Sequence, residues 1–168
     1  MPFNMKKLFL TLSLAIMATF SLRADSAVEA ILADLARYRL SFTYEYTVTG
    51  VQDITVEGRA TVQKDCFRME GAGLLILCDA QSTWTLDLDG KEAYVESSGP
   101  MDYAQYLLSL EWEGDALRGT FAEPSSGAII PFRVYDIKKS PASGDLSEFT
   151  LPQDFFDDGS DWIITDLR

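Results

Sequence analysis

The sequence predicts an α+β fold that is mainly β: one strongly curved, unclosed antiparallel sheet, a half-barrel, with two short helices against its concave face. Three observations predict it. From Ser41 onward the apolar residues recur every second position, the period of a half-buried strand. Turn signals such as Gly50–Asp53, Lys64-Asp65 and Asp89-Gly90 separate those runs. Two stretches only, 26–38 and 102–110, carry a helical period.

The chain has 168 residues. Lys6 and Lys7 precede an apolar run from Leu8 to Phe20, then Ser21-Leu22-Arg23-Ala24. That order of charge, apolar stretch and small residue reads as a secretory signal over 1–24. The run is short for a membrane span, and no cysteine follows it to take a lipid anchor. Residues 25–168 then suit one domain. The formal net charge is −12. It becomes −15 once Lys6, Lys7 and Arg23 are removed with the signal. Such a chain repels nucleic-acid phosphates, so no nucleic-acid partner is expected. There is no histidine, which excludes Ser-His and Cys-His catalysis and the commonest zinc sites.

Ser26 and Glu29 form a capping-box pattern at the start of the first helix. Val28, Ile31, Leu32 and Leu35 make its apolar stripe. In the first strand Phe42, Tyr44, Tyr46 and Val48 face one side, and Ser41, Thr43, Glu45 and Thr47 the other. In the second, Ile54, Val56, Ala60 and Val62 are the apolar series, interrupted by Gly58. A glycine there permits curvature or a close approach.

The next pair, "CFRMEGAGLLILCD", holds both cysteines. A three-residue turn at Gly71-Ala72-Gly73 sets Glu70 opposite Leu74 and Cys66 opposite Cys78. Opposed cysteines in an antiparallel pair are within disulfide reach, so that register predicts a staple. It also puts Phe67, Met69, Leu75 and Leu77 on one face. In "STWTLDLDGKEAYVE", Asp89-Gly90 reads as a type I′ turn. It sets Leu86 opposite Ala93 and Trp84 opposite Val95. Tyr103, Tyr106, Leu107 and Leu110 mark the second helix, and further strands are expected near 116–122, 129–138 and 162–164, for seven to nine in all.

Carboxylates are the remaining chemistry. Asp154, Asp157, Asp158 and Asp161 lack the spacing of an EF-hand loop and read as a solvated turn. Asp87 and Asp89 flank a turn. Glu111 and Glu113 bracket Trp112, as a glycan-acting carboxylate pair could. No nucleophile, base and orienting group come together, so no catalytic residue, metal or cofactor is expected. The aromatic, apolar sheet face instead suits an apolar ligand.

The order helix, "SFTYEYTVTG", "GRATVQ", "FRMEG", "LLILCDAQSTWTLD" and "EAYV" resembles the periplasmic lipoprotein carrier LolA and its relatives, which share the LolA, LolB and RseB fold. Phe67-Arg68-Met69 matches the Phe-Arg strand of that family, and Asp79 and Trp84 match its next hairpin; Ala80 and Gln81 stand where the family has Gly-Lys. The likeness covers about residues 25–96, and "FTLPQDFFDDGSDWIITDLR" resembles the end of shorter members. The family's Arg-Pro pair before the Phe-Arg strand is replaced by Gln63-Lys64-Asp65-Cys66. The resemblance implies a soluble, monomeric periplasmic carrier. It would take acyl chains of outer-membrane lipoproteins from an inner-membrane donor to an outer-membrane acceptor, without catalysis. It also implies a cavity lined by Phe42, Tyr44, Tyr46, Val56, Phe67, Met69, Leu75, Leu77, Trp84 and Leu86. The stripe Val28, Ile31, Leu32 and Leu35 would form its lid. Alternatives are an envelope sensor or interaction module on the same fold, and a carboxylate glycan enzyme.

Overall fold

The computed structural model describes residues 33–34, 37–98, 107–123, 126–159 and 161–168. Alternating sequence becomes alternating burial in the longest strands. The first strand, β1 (Tyr38–Val48), buries every second residue from Leu40 to Val48. It is followed by β2 (Ile54–Gln63), β3 (Cys66–Gly71), β4 (Leu74–Asp79), β5 (Ser82–Asp87), β6 (Glu92–Ser97), β7 (Leu107–Glu113), β8 (Ala116–Ala122), β9 (Ile129–Pro141) and β10 (Ile163–Asp166). These ten strands make one sheet in the order β10-β6-β5-β4-β3-β2-β1-β9-β8-β7. The ends β10 and β7 do not pair, so the sheet is open.

Two meanders, β1–β6 and β7–β9, are joined where β1 pairs with β9. All pairs are antiparallel except β10 with β6, which is parallel. The sheet is therefore mixed, with one strand more than the upper end of the expected range. The parallel strand follows from topology. The chain leaves β9, crosses one face of the sheet and arrives beside β6 running in the same direction.

Both expected helices need correction. Ala33 and Asp34 are helical, but Tyr38 already belongs to β1. The stripe Val28, Ile31, Leu32 and Leu35 lies outside the described residues. Of the 102–110 helix, 102–106 lies outside them, and Leu107 to Leu110 are strand. In "LLSLEWE", Leu108 is exposed while Leu110 and Trp112 pack on the core. That is a period of two. A window ending at Leu110 cuts the alternation short and leaves an apparent helical spacing.

The β3–β4 turn decides what each face carries. It has two residues, Ala72 and Gly73, both with positive φ (51° and 75°), the conformation of a primed hairpin turn. Gly71 therefore belongs to β3 and opposes Leu74. The register is one residue away from the one the sequence suggested. Phe67 opposes Cys78, Met69 opposes Ile76, and Cys66 opposes Asp79. A one-residue slip turns every side chain of a strand to the other face. Cys66 and Cys78 consequently leave each other's pairing position, and both are buried free thiols. The expected staple is not formed.

The β5–β6 hairpin keeps its expected register, Leu86 with Ala93 and Trp84 with Val95. Its turn is not the simple type I′ at Asp89-Gly90. The positive φ, 54°, falls on Lys91. The Asp87 carboxylate closes the turn by accepting from the Asp89 and Gly90 N–H groups at 3.1 and 2.8 Å.

Candidate functional site

The ten residues expected to line one cavity divide between the two faces of the sheet. Phe42, Tyr44, Tyr46, Val56, Phe67 and Met69 lie on one face, in a continuous buried cluster with Leu74, Ile76 and Cys78 of β4 and Phe121, Ile130 and Phe132 of β8 and β9. Leu75, Leu77 and Leu86 lie on the other, with Ala93, and Trp84 packs against them. The slip in β3–β4 is the cause: β4 turns Leu75 and Leu77 away from Phe67 and Met69.

The first face is built around Tyr44. Its ring crosses β2 over Gly58, and its hydroxyl donates to the Glu70 carbonyl at 3.1 Å. Gly58 opposes both Tyr44 and Gly71. A methyl on Gly58 would overlap the Tyr44 hydroxyl and the Glu70 carbonyl, and one on Gly71 would lie 2.9 Å from that hydroxyl. The two glycines clear the path of one tyrosine. Gly119 does the same for Phe132, whose Cζ would be 2.6 Å from an added Cβ. Phe132 meets Phe121 at 6.2 Å between ring centres. Burial pushes the Tyr44 phenol well above its usual range, helped by Tyr46 and Glu70, and burial does the same to Tyr46. Both stay neutral at any physiological pH. At the margin of this face the Trp112 indole N–H is buried and has no hydrogen-bond partner among the described residues, which is uncommon.

The second face is closed by the segment after β9. Leu151, Phe155, Phe156 and Trp162 cover Leu75, Leu77, Leu86 and Ala93. Phe156 meets Trp84 at 5.9 Å and Trp162 at 5.4 Å, and Phe155 meets Phe156 edge-on at 5.2 Å. Lys91 lies 4.9 Å from the Trp162 ring and 3.8 Å from the Asp158 carboxylate. Farther along the same face, the polar loop before this segment is fixed by two side chains that the sequence did not single out. Gln63 is buried. It donates to the Ser143 carbonyl and accepts from the Ser143 N–H and from Arg39. Arg39 also pairs with Glu148 at 2.8 Å and stacks on Phe149. Neither residue carries a sequence signal beyond ending or starting a strand.

The remaining candidates fall into structural positions. Among the described residues no three Cys, Asp or Glu side chains come together as a metal site. Glu113 pairs with Arg118 at 3.0 Å. The Cys78 thiol lies 3.2 Å from the Ser98 hydroxyl. Burial, with smaller effects of Cys78 and two nearby aspartates, raises the Cys66 thiol above its usual value, the opposite of a reactive thiolate.

No family model matches the chain, and no curated protein matches it. Among solved structures, an uncharacterized conserved protein from Thermus thermophilus is similar over 84% of this chain and 99% of its own, at 9% identity and a TM-score of 0.47. A likeness at that level bears on neither family nor function. Among the described residues no helix is long and apolar enough to cross a membrane.

Proposed function

We propose that the chain is a non-catalytic periplasmic carrier that binds acyl chains of lipoproteins against the Tyr44 face of its open sheet. The single observation that supports this reading is the six expected cavity residues, Phe42, Tyr44, Tyr46, Val56, Phe67 and Met69, meeting on one apolar face of a sheet that is not closed. Burial drives the association, at about 0.8 kcal/mol for each methylene taken out of water. The Trp112 N–H, without a partner among the described residues, would serve an ester or amide carbonyl at the head of the chain. The stripe Val28, Ile31, Leu32 and Leu35 is the proposed lid, exchanging its own contacts for those of the ligand. Leu75, Leu77, Trp84 and Leu86 have no part in the cavity, because the tail covers them.

Native mass spectrometry on protein captured from its own cell envelope tests the reading, with lipid extraction of the same sample. Acylated adducts are expected, and triacylated peptide masses would assign lipoprotein cargo. A bare chain mass from every preparation would overturn it. A second reading, an envelope interaction module, is favoured by one observation. The edge strand β10 leaves Ile163 and Ile164 half or more exposed, and open strand edges pair readily with other chains. Constant association with one membrane protein, with no lipid recovered, would favour it.

A further inference from the structure

The polar side of the sheet holds a second candidate site, independent of the Tyr44 face. A groove of about 370 Å³ runs over β9, β1, β2 and β3, within the size range of small-molecule sites. Its floor is short and hydroxylated: Ser41 and Thr61 oppose each other, 3.3 Å apart at their oxygens, and Thr43 lies two residues along β1. Its walls are long and charged. Lys138 opposes Ser41 from β9, and Arg59 opposes Thr43 from β2. Two of its carboxylates are already paired, Glu70 with Arg68 at 3.1 Å inside the groove and Glu148 with Arg39 at 2.8 Å outside it. Arg59 and Lys138 form no ion pair among the described residues. Two uncommitted cations on one groove are unexpected in a chain of net charge −12.

The backbone is also irregular here. The β1–β9 register shifts between Ser41 and Thr43, and Asp136 in that bulge has φ 53°. Bulges re-aim a side chain. Asp136 thereby becomes part of the groove wall, and it too has no ion-pair partner among the described residues. The donor set is therefore two cations, one carboxylate and three hydroxyls.

We infer that this groove binds a small hydroxylated anion, a sugar acid or sugar phosphate. Arg59 and Lys138 take the anionic group, and Asp136, Ser41, Thr43 and Thr61 take its hydroxyls. The surrounding negative charge repels polyanions at range, so the ligand is a monomer and not a nucleic acid or an anionic polymer. Carboxylate and phosphate present the same chemistry to arginine and lysine, and the experiment separates them.

Isothermal titration calorimetry on the whole chain at low salt is the test, with glucuronate, glucose 6-phosphate, glucose and inorganic phosphate as probes. Saturable binding of at least one of the two anionic sugars is expected, with glucose and inorganic phosphate at least about tenfold weaker, since each supplies half of the contacts. Arg59→Gln and Lys138→Gln should each weaken that binding by about tenfold or more. Both side chains are exposed, so the variants should keep the wild-type circular dichroism and melting temperature. Glu111→Gln, outside the groove, should bind as wild type. Absence of saturable binding up to about 10 mM of either sugar, equal binding of inorganic phosphate, or unchanged affinity in folded Arg59→Gln and Lys138→Gln proteins would each overturn the inference.

Discussion

The two apolar faces of this sheet are held in different ways. The Tyr44 face is one cluster drawn from six strands, from β4 across to β8. Its side chains come from long-range strand pairing. The opposite cluster is small, restricted to β4–β6, and owes its cover to one C-terminal segment carrying Leu151, Phe155, Phe156 and Trp162. That segment ends in a four-residue parallel edge strand. The first face can fail only with the sheet. The second can lose its cover while the sheet persists. A strand apolar on both faces, as β4 is (Leu74 to Cys78, all buried), connects two separate packing problems.

The largest effect should come from the first face. Phe121→Ala removes a fully buried ring and should cost about 3–5 kcal/mol, measured by urea unfolding. Phe156→Ala, in the half-buried cover of the second face, should cost about 1–2 kcal/mol. Equal losses would break the contrast.

Next in size is Gly58→Ala. The added methyl meets the Tyr44 hydroxyl and the Glu70 carbonyl, so a loss of about 1–3 kcal/mol is expected. Tyr44→Leu in the same background removes both the hydroxyl and the Cζ that the methyl would meet, so the two changes should not add. A double variant whose loss is the plain sum of the singles would refute the proposed path of the ring.

Alkaline titration separates the faces by charge. The Tyr44 and Tyr46 phenols are raised in the folded state by burial. The stability they contribute is present in full below about pH 10, the ordinary phenol value. It is lost as pH rises from there towards the higher folded values, because the unfolded chain ionises first. Unfolding free energy should decline slightly above about pH 8.5, where the Cys66 thiol, raised by burial in the fold, ionises first in the unfolded chain, and fall more steeply above about pH 10. Tyr44→Phe should shallow the fall. Tyr135 is also raised, to about 12, by its hydrogen bond to Glu57, but it is partly exposed and its share should be small.

The smallest effect concerns the thiols. With Cys66 and Cys78 free and buried, a thiol count on protein purified without reductant should give two per chain after denaturation and close to none before. Cys66→Ser should leave the electrophoretic mobility of the non-reduced protein unchanged. A mass two hydrogens below the reduced chain would contradict the register.

Most of the strands were legible in the sequence, because alternation survives wherever one face is solvated, as in β1 and β2. The β5–β6 register was legible too, through its Asp-Gly turn. The site was legible in part. Phe42, Tyr44, Tyr46, Val56, Phe67 and Met69 share a face as expected. Leu75 and Leu77 do not, since a run of five buried residues has no alternation to assign them, and Gly71-Ala72-Gly73 permits both turn lengths. What decided the turn was Tyr44, twenty-six residues before Glu70, which needs Gly71 in the strand beneath its hydroxyl. A dependence of that range has no local signal. Nor has the anchoring of the 143–149 loop by Arg39 and Gln63, which depends on where β9 delivers the chain.

The most direct test of the central claim uses the tryptophans as reporters. Trp112 packs against the Tyr44 face, and Trp84 and Trp162 belong to the opposite cluster. Two single-tryptophan proteins should be titrated with a brominated fatty acid, one keeping only Trp112 (Trp84→Phe, Trp162→Phe) and one keeping only Trp84 (Trp112→Phe, Trp162→Phe). Bromine quenches an indole only near contact. Saturable quenching of Trp112 with Trp84 undiminished is the predicted result. Quenching of Trp84 alone, or of neither, would contradict an acyl-binding Tyr44 face.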